Sequence, residues 1–218
     1  MQAAANVLNQ PTLGSPVDLL VALLVLALVP VLAISVTSFT RIVVVLGLLR
    51  ASLGTAALPP NAVIVAIAVM LSAAIMAPTL TTIQRDAVGP FQAHRISAST
   101  ALARAEKPLR SFMVRQTRLS DVRSFSRIAR VAVSRPSETP FFVLAPSFLV
   151  SELRAAFAMG FVLALPFVAI DIVVAIVLMS LGMFMVSPNA ISLPIKLFLF
   201  VMVDGWTLVA GALAESYR

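Results

Sequence analysis

The chain is written in long apolar runs separated by short polar clusters, with one extended polar stretch in the middle. Residues 17–36 are apolar except for Asp18 and Ser35. At 1.5 Å per residue such a helix reaches about 30 Å, the thickness of a hydrocarbon core, so it predicts a first membrane span. Pro30 predicts a kink or break within it. After Ser35, Thr37, Ser38 and Thr40 come Arg41, the apolar residues 42–49, and Arg50. That short run reaches roughly 12 Å as a helix and cannot cross a bilayer. It is a half-helix, a continuation of the first helix beyond the lipid, or a segment buried in protein. Arg41 and Arg50 fall on opposite faces of a straight helix, at about 100° per residue.

Gly54 and Pro59-Pro60 predict a turn, with Asn61 as cap of the helix that follows. Residues 61–83 form a second span candidate with Pro78 near its far end. Residues 141–150 are apolar but short and carry Pro146; Ser151, Glu152 and Arg154 separate them from the long apolar run 155–186, which holds Pro166 and Asp171. The last run, 191–213, contains Lys196, Asp204 and Trp206. The pattern predicts an all-α membrane protein: about four long, partly broken hydrophobic helices in two hairpin-like pairs with a basic helical segment between them. Its segments are a polar beginning (1–16), the first pair (17–83), the basic middle (84–140) and the second pair (141–218).

Composition agrees with that reading. Hydrophobic residues make up 60% of the chain and charged ones 11%, against about 45–50% and about 25% in soluble domains. A soluble enzyme and a disordered chain are both excluded, and the surplus apolar surface must face lipid or other subunits. No Lys or Arg precedes Arg41, so no cleavable signal peptide is expected. There is no Cys, and His94 is the only His. Disulfides and thiolate metal sites are excluded, and Ser/His or zinc chemistry has almost nothing to draw on. No catalytic, cofactor-binding or metal-binding residue is assigned, and the expectation is a protein that is not an enzyme.

The net charge of +7 belongs to the middle segment: residues 84–140 hold eleven Lys and Arg against four Asp and Glu, while the remainder is balanced. Ser120 is expected to cap a helix with Val122, Phe125, Ala129 and Ala132 on one side and Arg123, Arg127 and Arg130 on the other. A second helix is expected from Pro108, with Leu109, Phe112 and Met113 inward and Arg110, Arg115 and Arg118 outward. Such stripes are a solvated face, or they meet an acidic protein or anionic lipid headgroups. Nucleic acid is a poor match because no aromatics interleave with the arginines. The positive-inside rule would place the segment in the cytoplasm, although its length is near the rule's limit of about 60 residues.

Asp171, Lys196 and Asp204 interrupt apolar runs, where a charge costs roughly 2.5–3.5 kcal/mol on insertion scales. Lys196 and Asp204 lie roughly 12 Å apart along one helix, too far to pair directly. Each needs a partner on another helix or subunit, either as an ion pair that fixes register or as a proton or ion relay. Glu152 and Arg154, at a helix mouth, suit cap or interface roles. Met179, Met183 and Met185 cluster before Ser187-Pro188-Asn189. Flexible thioethers at such a place pack a core or face lipid; ringed in a homo-oligomer, they would make a soft apolar seal.

Several blocks in order carry a specific resemblance. Ser38-Phe39-Thr40-Arg41-Ile42-Val43-Val44-Val45, Leu48-Leu49-Arg50, Leu53-Gly54-Thr55 and Pro59-Pro60-Asn61 are followed by Phe112-Met113-Val114-Arg115-Gln116-Thr117-Arg118 and Ser151-Glu152-Leu153-Arg154. Then come Ala156-Phe157, Gly160-Phe161, Pro166-Phe167, Ile170-Asp171, Met179-Ser180-Leu181-Gly182-Met183 and Val203-Asp204-Gly205-Trp206. Together they resemble the FliP/SctR family of type III export-gate proteins, over nearly everything after about residue 17. The block at 112–118 looks more like the flagellar than the injectisome branch.

The resemblance implies a pore subunit that forms a homo-pentamer and joins FliR-like and FliQ-like subunits, passing unfolded flagellar proteins out of the cytoplasm. It implies the bacterial inner membrane, in the flagellar basal body export apparatus, with much of the assembly raised to the periplasmic side and the basic segment there too. The implied pore gasket is Met179, Met183 and Met185, with Phe184 where many relatives carry another methionine. Arg41, Arg50, Glu152, Arg154, Asp171, Lys196 and Asp204 are expected as subunit-interface ions. Cofactors and nucleic acid are not expected. The alternatives are an injectisome export-gate subunit, or a small-solute or ion transporter with Asp171 and Asp204 as coupling carboxylates, which would show uptake by the purified chain alone in vesicles.

Overall fold

The computed structural model describes residues 19–20, 23–24, 27, 30–31, 34–55, 58–132 and 135–217. The polar beginning and most of the expected span 17–36 lie outside them; its described residues up to Ser35 are helical. Every described element is a helix: α1 (Phe39–Ser52), α2 (Asn61–Ile83), a wide turn (Gln84–Val88) leading into α3 (Gly89–Gln92), α4 (Ala98–Gln116), α5 (Leu119–Ile128), a short turn (Pro136–Glu138), α6 (Phe141–Ser180), α7 (Pro188–Met202) and α8 (Gly205–Glu215). Asn61–Gln92 and Phe141–Ser180 are each long and apolar enough to cross a membrane, as is the pair α7 and α8, bent by 64°. The chain is an all-α membrane protein. It forms two compact units, Met1–Ser38 with Met76–Ser151, and Phe39–Ile75 with Glu152–Arg218.

In the second unit the short apolar run is a segment buried in protein. Ile42, Val45, Leu46 and Leu49 recur at helical spacing, and all four are buried. They pack with Ile64 and Ala68 of α2, Ala156 and Phe167 of α6, Phe200 of α7, and Val209 and Leu213 of α8. Gly160 lets α6 approach α1 closely, since a Cβ there would stand 2.3 Å from Leu48 Cδ1. Asn61 is the first residue of α2 rather than its cap: Val63 and Ile64 donate to the Pro60 carbonyl, and the Asn61 side chain is occupied by Arg50.

In the first unit α4 starts at Ala98, capped by Ser97 Oγ accepting the Thr100 N–H at 3.3 Å, so Pro108 sits inside this helix rather than at its start. Phe112 and Phe148 meet edge to face at 5.9 Å. Ser120 is not the cap of α5; the Arg118 carbonyl accepts from Asp121 and Val122 and begins the helix earlier. Arg118 N–H in turn donates to Ser151 Oγ at 3.1 Å, and Ser151 Oγ donates to the buried Asp121 carboxylate at 2.7 Å. Arg123 and Arg127 are exposed as expected. Arg130 falls past the end of α5 at φ +54°, where Val131 N–H reaches the Ser126 carbonyl and closes the helix, so it is not part of a helical stripe.

Two further expectations are corrected. Residues 141–180 form one helix of 40 residues, about 60 Å long, that runs through Ser151, Glu152 and Arg154. The polar cluster does not break it, because Ser151 and Glu152 find partners on neighbouring helices. The run 191–213 is not one helix: it breaks at Val203 and Asp204, where Asp204 takes φ +51° and α8 restarts at Gly205. Left-handed backbone ends a helix, and Asp tolerates it better than most residues.

Candidate functional site: buried ion pairs and an exposed methionine turn

Three features stand out in the second unit. The first is the Arg41–Glu152 pair. The early position of Arg41 in α1 and the mid-helix position of Glu152 in α6 bring both side chains into the core, 5% and 0% exposed. The fork is bidentate: Nε donates to Oε2 at 3.0 Å and Nη2 to Oε1 at 2.5 Å. Arg41 Nη1 donates to Ser216 Oγ at 2.9 Å and to the Ser216 carbonyl at 3.2 Å. Tyr217 donates its hydroxyl to Glu152 and lays its ring 3.9 Å from the guanidinium carbon. Burial beside the Glu152 carboxylate pushes the Tyr217 phenol up, so it stays a donor. The group locks the residues after α8 onto α1 and α6.

The second feature is centred on Lys196. Its ammonium, 2% exposed, donates to Asp171 Oδ2 at 2.6 Å and to the Ser52 carbonyl at 3.1 Å. Ser192, one turn earlier on the same face of α7, donates to Asp171 Oδ1 at 2.6 Å. The φ of +79° at Gly54 favours glycine, and a Cβ there would lie 2.8 Å from Asn189 Oδ1. Asp171 is half exposed, facing a hollow of about 450 Å³ rimmed by Ser187, Pro188 and Asn189.

The third feature is the turn joining α6 to α7. Gly182, at φ +72°, ends α6: its N–H reaches the Met179 carbonyl and Met183 N–H reaches that of Leu178. The chain then runs outward, leaving Met179, Met183 and Phe184 exposed and Met185 completely so. These side chains are therefore not packed in the core of this chain, and they stand open to lipid or to another subunit.

The sequence matches the FliP family over residues 22–213. The chain belongs to the FliP family. It is similar to the flagellar biosynthetic protein FliP of Buchnera aphidicola subsp. Baizongia pistaciae, 48% identical over 203 residues, covering 93% of this chain and 56% of that relative. The Pectobacterium carotovorum protein of the same name is 46% identical over 92% of this chain and 78% of its own length. That of Bacillus subtilis is 42% identical over 94% and 93%. The chain thus spans little more than half of the Buchnera relative and nearly all of the Bacillus one.

Within this family member the structure sorts the candidate ions. Arg41 meets Glu152, and Asp171 meets Lys196, both within one chain. Arg50 holds the turn before α2, donating to Asn61 Oδ1 at 2.6 Å and to the Pro59 carbonyl at 3.2 Å. Arg154 is exposed, and Asp204 is exposed at the α7–α8 bend. Sequence reasoning missed Tyr217, Ser192 and the Ser52 carbonyl. Tyr217 is the only tyrosine in the chain, and Ser192 lies four residues before Lys196; both were available signals.

Proposed function

We propose that this chain is a pore-forming subunit of the bacterial flagellar type III export apparatus. In this reading it assembles with copies of itself, as a pentamer, and with FliQ-like and FliR-like subunits in the inner membrane, with much of the assembly raised to the periplasmic side. Unfolded flagellar proteins pass through it out of the cytoplasm; the protein is a gate component and not an enzyme. One observation carries this reading beyond family membership: the exposed turn of Met179, Met183, Phe184 and Met185 held between two apolar helices. Several copies around an axis would place these unbranched, deformable side chains against each other and close a passage by packing. Phe157, Phe161, Ile172, Val173 and Ile176 of α6 are also exposed, offering apolar surface for neighbouring subunits.

Replacing Met179, Met183 and Met185 together by alanine is expected to leave export possible while the membrane of producing cells becomes permeable to ions and small solutes, read by dye influx. Unchanged permeability would argue against the seal. Lys196→Glu sets two carboxylates face to face at Asp171, and recovery of the chain with FliR-like and FliQ-like partners after affinity purification is expected to fall several-fold. Normal recovery with export lost would instead assign the pair to transport.

A further inference from the structure

We propose that the basic cleft between α4 and the end of α2, within the first unit, docks an extended acidic segment of a second protein. The cleft encloses about 770 Å³, and every residue lining it falls between Pro78 and Arg115. Arg104, Lys107 and Arg115 line it from α4, and Arg85 from the wide turn that follows α2. Asp86 is the only carboxylate in the lining, and Arg85 already holds it at 2.8 Å. Arg104 reaches only the Asp86 carbonyl, at 3.4 Å. Among the described residues, Lys107 and Arg115 make neither an ion pair nor a hydrogen bond. The cleft therefore holds positive charge that the fold leaves uncompensated.

Helical spacing builds the cationic wall. Arg104, Lys107, Ser111 and Arg115 stand at i, i+3, i+7 and i+11 of α4, on one stripe of the helix. From Arg104 to Arg115 that stripe runs roughly 16 Å. A single anion meets one end of such a row, whereas an extended chain of about five residues, at about 3.3 Å each, follows it from end to end. Arginine grips a carboxylate with two donors, as Arg85 does with Asp86, and Lys107 adds a point charge to the row. Pro78, Pro90 and Pro108 give apolar surface for the chain between the carboxylates. Arg123 and Arg127 of α5 are exposed as well but do not line the cleft.

A second copy of this chain does not supply the acidic segment. Its two Asp or Glu nearest in sequence, Asp204 and Glu215, are eleven positions apart, at the two ends of the apolar helix α8. In the first unit Asp86, Glu106 and Glu138 are engaged by arginines of the same chain, and Asp121 by Ser151. With a net charge of +7 and no acidic run, charge complementarity points to a different protein. Lipid headgroups share the negative charge. The raised placement proposed above for this segment favours protein over a lipid surface, and on that point the inference rests on that reading.

The test uses the full chain purified in an uncharged detergent and a fluorescent peptide alternating Glu with Ser, with binding read by anisotropy. The Glu peptide is expected to bind, more weakly as salt is raised, and its Gln counterpart to bind far less. The variant Lys107→Gln with Arg115→Gln, at parental helical circular dichroism, is expected to weaken binding about 10-fold. The charge-preserving Lys107→Arg with Arg115→Lys should bind near the parental level, as should Arg123→Gln with Arg127→Gln, which removes the same charge elsewhere. Equal loss in the two Gln variants, or displacement of the peptide by inorganic phosphate at matched ionic strength, would overturn the docking site. Displacement by dioctanoyl phosphatidylglycerol but not by dioctanoyl phosphatidylcholine would overturn the protein partner and count against the raised placement. Absence of peptide binding would overturn the inference and leave that placement and the export reading as they stand.

Discussion

Glu152→Ala is expected to destabilise the chain by about 3–5 kcal/mol, the cost of breaking a buried ion pair by removing one partner. The substitution takes away both acceptors of a bidentate guanidinium and the acceptor of the Tyr217 hydroxyl, in a place where Arg41 is 5% exposed and cannot turn to water. It leaves the Arg41 charge in the core without the carboxylate that balances it. Arg41→Ala is expected to cost a similar amount, and the double variant much less than the two together, because a core without either charge carries no uncompensated ion. Glu152→Gln keeps the shape and two polar atoms and should fall between. Unfolding of the purified chain in mixed micelles, followed by helical circular dichroism, measures all four. A Glu152→Ala midpoint equal to the parent would mean that Ser216 and the Tyr217 ring suffice to hold Arg41.

None of this pair was visible along the chain. Arg41 and Glu152 are 111 positions apart; in sequence Glu152 stands in a polar cluster that suggests a helix mouth, while Arg41 follows Ser38 and Thr40 with nothing to name its partner. The local signal favoured a break at Ser151–Arg154. The fold overrides it because Asp121 and Arg118 receive Ser151 while Arg41 receives Glu152, so a polar cluster in an apolar helix costs little when each member is paired. Lys196 shows the same limit from the other side. Its distance from Asp204 excluded that partner correctly, yet nothing local named Asp171, 25 positions earlier on another helix.

What periodicity does encode was readable. Ile42, Val45, Leu46 and Leu49 follow one helical stripe, and they form the centre of the core. The all-helical class, the long apolar helix from Asn61 and the basic helices of the middle segment also follow from spacing and composition. The methionine turn was legible as a cluster before a break, because Ser187-Pro188-Asn189 ends any helical pattern. Helix ends were less so: Pro108 and Ser120 carry strong start signals, but Ser97 caps one helix, and the Arg118 carbonyl starts the other. Local propensity is a weak prior against such tertiary contacts.

The break at Asp204 is the least legible feature and supports the second large effect. Hydropathy runs without interruption from Ile191 to Leu213 apart from the two ions, so composition predicts one span. The left-handed backbone at Asp204 ends α7, and the packing after it leaves no room for a side chain at the next position. Gly205 lies against the buried ring of Phe200, and a Cβ there would stand 2.1 Å from Cε2 and 2.3 Å from Cδ2. That ring is held 5.2 Å from Trp206 and 6.4 Å from Phe167, centroid to centroid, so it has little room to yield. Gly205→Ala is therefore expected to cost at least about 1–3 kcal/mol, the range for overpacking a core. Gly211→Ala, on the same helix, meets nothing within 4 Å and should be neutral, or stabilising by up to about 1 kcal/mol through helix propensity. The two substitutions add the same methyl group six residues apart, so their difference isolates the clash at the bend. Adding Phe200→Leu to Gly205→Ala should recover part of the loss by making room for the methyl group. Equal unfolding midpoints for the two alanine variants would show that the Phe200 ring can yield and that the close approach at the 64° bend does not require glycine.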